Sequence, residues 1–570
     1  MSDGGTFETQ GVRVAVEGCG HGTLNAIYAS VDESCKARGW DGVDLVIIGG
    51  DFQSVRNAAD LAVMAVPVKY RQLGDFPDFY SGVRTAPYLT VFIAGNHEAS
   101  SHLWELYYGG WVAPNIYYLG AANVIRFGPL RLAALSGIWK GFDYRKPHHE
   151  RLPFSPDDVR SFYHVRELDV RKLLLLQTQV DVGLSHDWPR AIEKHGDSEW
   201  LFRKKRDFRA ESVDGTLGNA AAEYVMDRLR PPYWFSAPLC HGPAAPSILF
   251  AAVKHYNDAA ENSDAADNGD QGASATAGEK GANPDEIDLD MDMDDDGGDD
   301  VPGQKGQVST KGGDKAAEET NQVPEELRAQ LPASFARPAP RDTTKRIPGQ
   351  PVPPGITNKQ VRFLALDKCL PGRHFLQLCE MQPFDPKQLS AHPPKQTAPR
   401  YHLQYDPEWL SITRVFHQTL TIGDGNAQTS ENIGEEKYLP LIEVERAWVE
   451  ENIVSKDKLD VPENFQVTAP PHVPGTPETV HEQPEEYTSP QTAAFCELVG
   501  LENLWDASAE ERRARREQGP APSEFRRGNR GGFDGGRGGR GGRGRGRGAV
   551  AEGEAAGDGV YRGGRGRGRG

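Results

Sequence analysis

The sequence predicts an α/β layered domain followed by a second ordered region, and two observations carry that prediction. From about Gly11 to about Asn257, short apolar runs ending in polar residues alternate with segments of helical spacing, the pattern of strands and helices stacked in layers. Hydrophobic pattern then lapses from about Asp258 to Gly349 and returns from Val361 to about Trp505.

In the first region, Val12-Arg13-Val14-Ala15-Val16 reads as a strand ending in Gly18. Leu24, Ile27, Tyr28, Val31 and Cys35 fall on one face of a helix. Leu45–Ile48 reads as a strand running into Gly49-Gly50-Asp51, and Tyr88–Ala94 as another running into Gly95-Asn96-His97-Glu98. Leu130–Leu135 and Val180–Leu184 are further strands, and Thr216–Leu229 is a helix that stops before Pro231-Pro232. In the second region, Val361–Leu366 is apolar, Tyr405-Asp406-Pro407-Glu408-Trp409-Leu410 opens a helix, and Glu443–Glu450 forms another. The Pro-rich stretch Ala469–Pro490 interrupts that region.

Composition divides the chain further. Hydrophobic residues make up 38% of the 570, low enough to predict that part of the chain is disordered. The net charge of -18 is unevenly spread, with acid concentrated around Asp288–Asp296 and Arg near the C-terminus. The expected organisation is a first domain over 11–257, a disordered acidic linker over 258–349, a C-terminal domain over 350–510 and a disordered Arg-Gly tail over 511–570. Arg537-Gly538-Gly539-Arg540 and its repeats combine charge with stacking planes and no fold, which makes RNA the natural partner of the tail. Six Cys without a regular framework fit a reducing compartment. Met1–Gly5 carries no signal segment, and no run nears roughly 20 apolar residues. The expectation is a soluble intracellular protein without a membrane partner.

The chemistry gathers at predicted strand ends. Cys19-Gly20-His21, Gly50-Asp51, Asn96-His97 and Ser185-His186-Asp187 occur in that order. Singly, each has an ordinary reading. Cys19 packs as a small hydrophobe, His21 sits in a turn or core, Asp51 caps a helix, Asn96 caps a helix beginning near Ala99, and His186 lies on the surface. Together they fit a dinuclear hydrolase. Two metals, roughly 3.5–4 Å apart in such sites, supply a nucleophile and neutralise phosphate charge, and a carboxylate such as Asp51 bridges them. Mixed His, Asn and carboxylate ligands suit Mn, Fe or Zn better than Ca. Between Trp139 and Arg166, basic and aromatic residues are interleaved, a spacing suited to phosphate contacts with base stacking or to a solvated surface loop.

These motifs resemble the calcineurin-like metallophosphoesterase superfamily and, within it, the RNA lariat debranching enzymes. The resemblance rests on Glu17-Gly18-Cys19-Gly20-His21-Gly22, on Gly50-Asp51-Phe52-Gln53 with Arg56-Asn57, and on Ser185-His186-Asp187-Trp188-Pro189. Gly137-Ile138-Trp139-Lys140 with Asp143-Tyr144-Arg145 and Tyr163-His164-Val165-Arg166 resembles that family's lariat-recognition loop. Phe363–Pro371, Tyr405–Leu410 and Pro490–Cys496 extend the match into the second region. The resemblance implies a β-sandwich flanked by helices, with Cys19 and His21 on one metal, Asp51 bridging, and Asn96 and His186 on the second. His97 would protonate the leaving 2′-oxygen or stabilise charge on the phosphate. Tyr144, Arg166, Lys140 and Arg145 would contact substrate. A thiolate at Cys19 biases its position toward Fe or Zn. The implied reaction is metal-dependent hydrolysis of the 2′–5′ phosphodiester in branched intron RNA, in the nucleus.

One motif departs from the family. After Trp234-Phe235-Ser236-Ala237, the family has His-Leu-His, two further metal ligands. This chain has Pro238-Leu239-Cys240-His241 and resumes the pattern at Phe250-Ala251-Ala252. Pro238 cannot ligate through its side chain, whereas His241 or Cys240 can. Three origins fit: a misplaced exon boundary over Pro238–Leu249, a variant using a substitute ligand, or a variant with reduced activity. The functional alternatives are therefore a phosphoesterase for another substrate and a catalytically silent RNA-binding homologue.

Overall fold

The computed structural model describes residues 11–238, 249–256, 351–395, 399–478 and 480–522. Among these residues the strands form two sheets. In the first are β1 (Val12–Glu17), β2 (Leu45–Ile48), β3 (Thr90–Phe92), β4 (Gly110–Ala113) and β5 (Ile116–Tyr118). In the second are β6 (Ala122–Phe127), β7 (Leu130–Leu135), β8 (Val182–Ser185), β9 (Tyr233–Ser236), β10 (Phe250–His255) and β11 (Gln360–Ala365). β12 (Leu376–Met381) returns to the first sheet and β13 (Leu403–Tyr405) to the second, giving orders β12-β1-β2-β3-β5-β4 and β10-β11-β9-β8-β7-β6-β13.

Alternation of side chains explains the layering. Val12, Val14, Val16, Leu45, Ile47 and Val91 of the first sheet share one core with Ile125, Leu132, Val182, Leu184 and Phe235 of the second. The residues between them, Ala15, Val46, Ile48 and Phe92, pack against Leu24, Ile27, Tyr28, Val31 and Cys35 of the helix Leu24–Arg38. On the outer face of the second sheet, Ala133, Leu135, Trp234 and Phe363 meet the helices Glu167–Leu174, Ala220–Leu229 and Pro407–His417. The result is a β-sandwich with helices on both outer faces, as the resemblance implied. Strands with both faces covered read as unbroken apolar runs, which is why Leu45–Ile48 and Leu130–Leu135 match their predicted bounds.

Several expectations are corrected. The regions 11–257 and 350–510 do not separate into two folding units. β11 lies between β9 and β10, β12 pairs antiparallel with β1, and β13 closes the other edge of the second sheet, so all described residues fall in one unit. The helix expected over Thr216–Leu229 begins only at Ala220, where Asn219 caps it by accepting from the Ala222 N–H. That expected at Glu443–Glu450 runs from Glu435 to Asn452 and tolerates Pro440 within it. Ala469–Pro490 is a strap over the first region: Tyr80 donates to the Ala469 carbonyl at 2.9 Å, Asn57 to that of Pro470 at 2.7 Å, and Gln483 to that of Phe154 at 2.6 Å. Residues 511–518, expected in the tail, are helical: Ser508 and Glu511 form a capping box on the helix Ala509–Gln518. The acidic linker and the Arg-Gly repeats lie outside the described residues.

The parallel pairings position the site. β1, β2 and β3 run parallel, as do β7, β8, β9 and β11. Their carboxyl ends carry the loops with Cys19 and His21, Asp51, Asn96 and His97, and His186.

Candidate metal centre

Two loops are zipped together at the base of the site. Gly20 donates to the Gly50 carbonyl at 3.2 Å, His21 to that of Asp51 at 2.6 Å and Gly22 to that of Phe52 at 3.2 Å. His21, Asp51 and Gln53 adopt left-handed backbone angles (φ 42°, 46° and 63°), strain that persists only where the surroundings impose it. A third loop is drawn in by Glu98. This wholly buried carboxylate accepts from the N–H groups of Phe52 and Gln53 at 2.9 Å each and of Gly95 at 3.0 Å. Burial and the nearby Asp51 push its pKa up to about 8, against the pull of those N–H groups.

The glycines here make room for functional atoms. A Cβ on Gly95 would lie 2.2 Å from Asp51 Oδ1 and 2.6 Å from His186 Cε1, and one on Gly50 would lie 2.1 Å from His186 Nδ1. Neither position admits a side chain.

Asp51 is two-sided. His21 Nε2 lies 3.4 Å from Oδ2, and His97 Nδ1 lies 3.8 Å from the same oxygen. Across the carboxylate, His186 Nε2 lies 3.6 Å from Oδ1, which accepts the His97 N–H at 2.9 Å. The other His186 nitrogen lies 2.9 Å from the Gly49 carbonyl, the contact that orients a metal-ligating imidazole. Cys19, His21 and Asp51 bring ligand atoms within 4.8 Å of one another. His21 Nε2 is buried without a hydrogen-bond partner. Burial lowers the His21 pKa to about 3 and also lowers that of His97. Against its own burial, Asp51 is held well below the carboxylate range by His97, His186, His21 and Lys368. Neutral imidazole, carboxylate and sulfur form a donor set that fits a divalent transition metal. Asp51 and Asn96 cap no helix: Asp51 is left-handed, and the cap position of the helix Ser100–Trp104 is Ala99. Asn96 is half-buried between Gly95 and His97, whose backbones both abut Asp51. His241 and Cys240 lie outside the described residues.

The segment 139–166 is joined to this centre, because the Trp139 N–H donates to Asp187 Oδ2 at 2.7 Å. Trp139 and Tyr144 pack with ring centroids 4.9 Å apart. Tyr144 and Lys140 are half-buried and Arg145 is exposed. Arg166 corrects the expectation of substrate contact. It is wholly buried, and its guanidinium is committed to Glu150 and to the carbonyls of Asp143 and Ser161. It shapes the segment from within. Glu98 was legible only as part of a motif; its task depends on three N–H groups from loops far apart in sequence.

Two family models match the chain: calcineurin-like phosphoesterase over residues 12–236, and the lariat debranching enzyme C-terminal domain over residues 358–504. A lariat debranching enzyme of Schizosaccharomyces pombe is 38% identical over 499 residues, which cover 86% of this chain and 96% of that protein. The chain belongs to the lariat debranching enzyme family. The human member is 36% identical over 490 residues (86% of this chain, 69% of that one), and the Arabidopsis thaliana member is 34% identical over 499 (87% and 88%). Membership makes the chain a phosphoesterase-fold hydrolase, and divalent metal ions come with that fold. The second family match begins just before β11 and ends after the helix Pro490–Leu498, so it covers the segment that completes both sheets.

Proposed function

We propose that the protein hydrolyses the 2′–5′ phosphodiester at the branch point of excised intron RNA and leaves linear RNA for turnover. The observation that carries this reading is the two-sided Asp51, with His21 toward one oxygen and His186 toward the other, and with Cys19 clustered beside Asp51 and His21. Bound divalent ions (Fe, Zn or Mn) would supply phosphate neutralisation and an activated water. Cys19 and His21 would hold one ion, Asn96 and His186 would hold a second, and Asp51 would serve both.

His97 is the proton-handling residue. Its side chain keeps 12% of its surface and its ring lies edge-on to His21 at 5.4 Å. Burial lowers its pKa; as general acid it would give a proton to the leaving 2′-oxygen, released as the hydroxyl, or it would stabilise charge on the phosphate. Lys140 and Arg145 meet the RNA backbone, and Tyr144 braces Trp139 beside it. The Arg-Gly tail adds weak RNA affinity, and an intron substrate places the protein in the nucleus.

The test is incubation with synthetic 2′–5′ branched RNA and Mn, Fe or Zn. The expected outcome is a linear product bearing a 5′-phosphate, abolished in His97→Ala while branched-RNA binding persists. Binding without linearisation in any of these metals would instead establish a silent RNA-binding homologue. Because Pro238 stands where a ligating His is expected, a cDNA read across 234–250 decides whether the segment is genuine or a misplaced exon boundary; a His-x-His there would restore the full ligand set.

A further inference from the structure

We propose that Lys368, contributed by the C-terminal half of the chain, binds a phosphate oxygen of the RNA at the metal centre. This rests on the reading of the site as a phosphodiesterase centre.

Position comes from topology. β11 runs parallel to β9, so its carboxyl end opens on the edge of the sandwich that carries the metal-ligand loops. Lys368 lies three residues past the end of β11. Its backbone bridges to that of Cys19, and the next N–H, that of Cys369, donates to the Cys19 carbonyl at 3.3 Å. The approach is too close for a side chain at Gly18, where a Cβ would lie 2.4 Å from the carbonyl oxygens of both Leu366 and Asp367. Asp367 fixes the turn: its Oδ1 accepts from the Lys368 N–H at 2.7 Å and from Arg373 at 3.0 Å.

Charge supplies the second argument. Lys368 is half-buried, and its charge acts on Asp51, His21 and His97 together. Four wholly or nearly buried cations are paired: Arg56 with Asp60 and Glu105, Arg131 with Asp406 and Glu408, Arg166 with Glu150, and Lys172 with Asp169. Among the described residues, no carboxylate lies within 4.0 Å of the Lys368 ammonium. A cation placed beside a site for divalent cations repels them unless an arriving anion adds negative charge to that of the ligands. A phosphodiester is such an anion, and a lysine meets it as a point charge on a flexible stem. Lys140 stands toward the other side of the site, where its charge acts on Asp187 and His164. The two lysines come from the recognition segment and from the C-terminal half, so the substrate phosphate ties both parts of the sequence to one centre.

The experiment uses the full-length protein, Lys368→Met and Lys368→Arg. Metal content and melting temperature are measured first, then binding of a branched RNA with an uncleavable 2′–5′ linkage across a salt series, then cleavage. The expected result for Lys368→Met is unchanged metal content and melting temperature, and a salt slope shallower by about 0.7, one single-strand phosphate contact. Its kcat/KM falls on the order of 100-fold, the loss for removing one donor to developing charge, and Lys368→Arg restores most of the slope. An unchanged slope and kcat/KM in Lys368→Met would overturn the proposal, as would a loss of metal or of melting temperature that accounts for the defect. Bis(p-nitrophenyl) phosphate separates this from the substrate reading. If the wild type leaves branched RNA intact but hydrolyses that diester, the RNA reading fails by itself. Lys368 is then judged by the diester kinetics, where an unchanged variant overturns it.

Discussion

Asp51 and Asp406 are both buried carboxylates surrounded by basic groups, yet the two regions they occupy are built on opposite principles. Asp406 is saturated. Arg131 donates to Oδ1 at 2.8 Å, Arg131 and Arg126 each donate to Oδ2 at 2.9 Å, and the Trp409 N–H donates at 3.0 Å. The imidazole nitrogens around Asp51 stand off at 3.4, 3.6 and 3.8 Å, too far for good hydrogen bonds. The Asp406 seam is complete in the protein alone and joins β7 to the helix Pro407–His417. At the Asp51 centre the carboxylate accepts the His97 N–H, but the imidazole side chains do not hydrogen-bond it, which leaves their nitrogens available to a ligand. Contact distance, more than burial or charge, separates the two.

The strongest way to break the comparison is Asp51→Asn. It keeps an acceptor for the His97 N–H but removes the bridging charge, so debranching should fall by about 1,000-fold or more with metal content reduced and melting temperature undiminished. A large loss of folding stability would mean that Asp51 is structural, like Asp406.

The converse is Asp406→Ala, which leaves buried Arg131 with only one of its two carboxylate partners, Glu408, and should destabilise by about 3 kcal/mol in urea unfolding. Arg166→Ala should cost a similar amount by leaving Glu150 buried and unpaired. Were Arg166→Ala to raise KM at unchanged stability, the substrate role corrected above would be restored.

Acid sharpens the contrast. Burial alone would raise the Asp406 pKa, but Arg131 and Arg126 hold it at about 2, below the ordinary 3.8. A carboxylate depressed in the folded state adds stability that is fully present above its ordinary pKa and is lost as pH falls through the folded value. The stability difference between wild type and Asp406→Asn should therefore shrink by about 2 kcal/mol between pH 4 and pH 2, as read by unfolding at each pH.

The smallest effect is expected at exposed Arg145. Arg145→Ala should make the salt dependence of RNA binding shallower by about 0.7 and leave folding stability unchanged.

Much of this was legible before any coordinates. Leu45–Ile48 and Leu130–Leu135 read correctly because both faces of their sheets are covered, so every side chain must be apolar. Asp51 and His186, each following such a run, do lie together, 3.6 Å apart. Arg166 was not legible: an arginine in a basic, aromatic segment resembles an RNA contact until Glu150, 16 positions earlier, is seen to bury it. Nor was the unity of the two ordered regions, because a strand's sequence does not state which sheet it joins.

By itself the sequence determined several central strands, the order of the site loops and the family, since these depend on local periodicity and residue type. Only the tertiary structure decided that Asp51 faces imidazoles on both sides, that Arg166 is interior, and that Lys368 stands beside Cys19. Those facts depend on pairings between segments up to hundreds of residues apart, where strand parallelism and the saturation of buried charge select the neighbours.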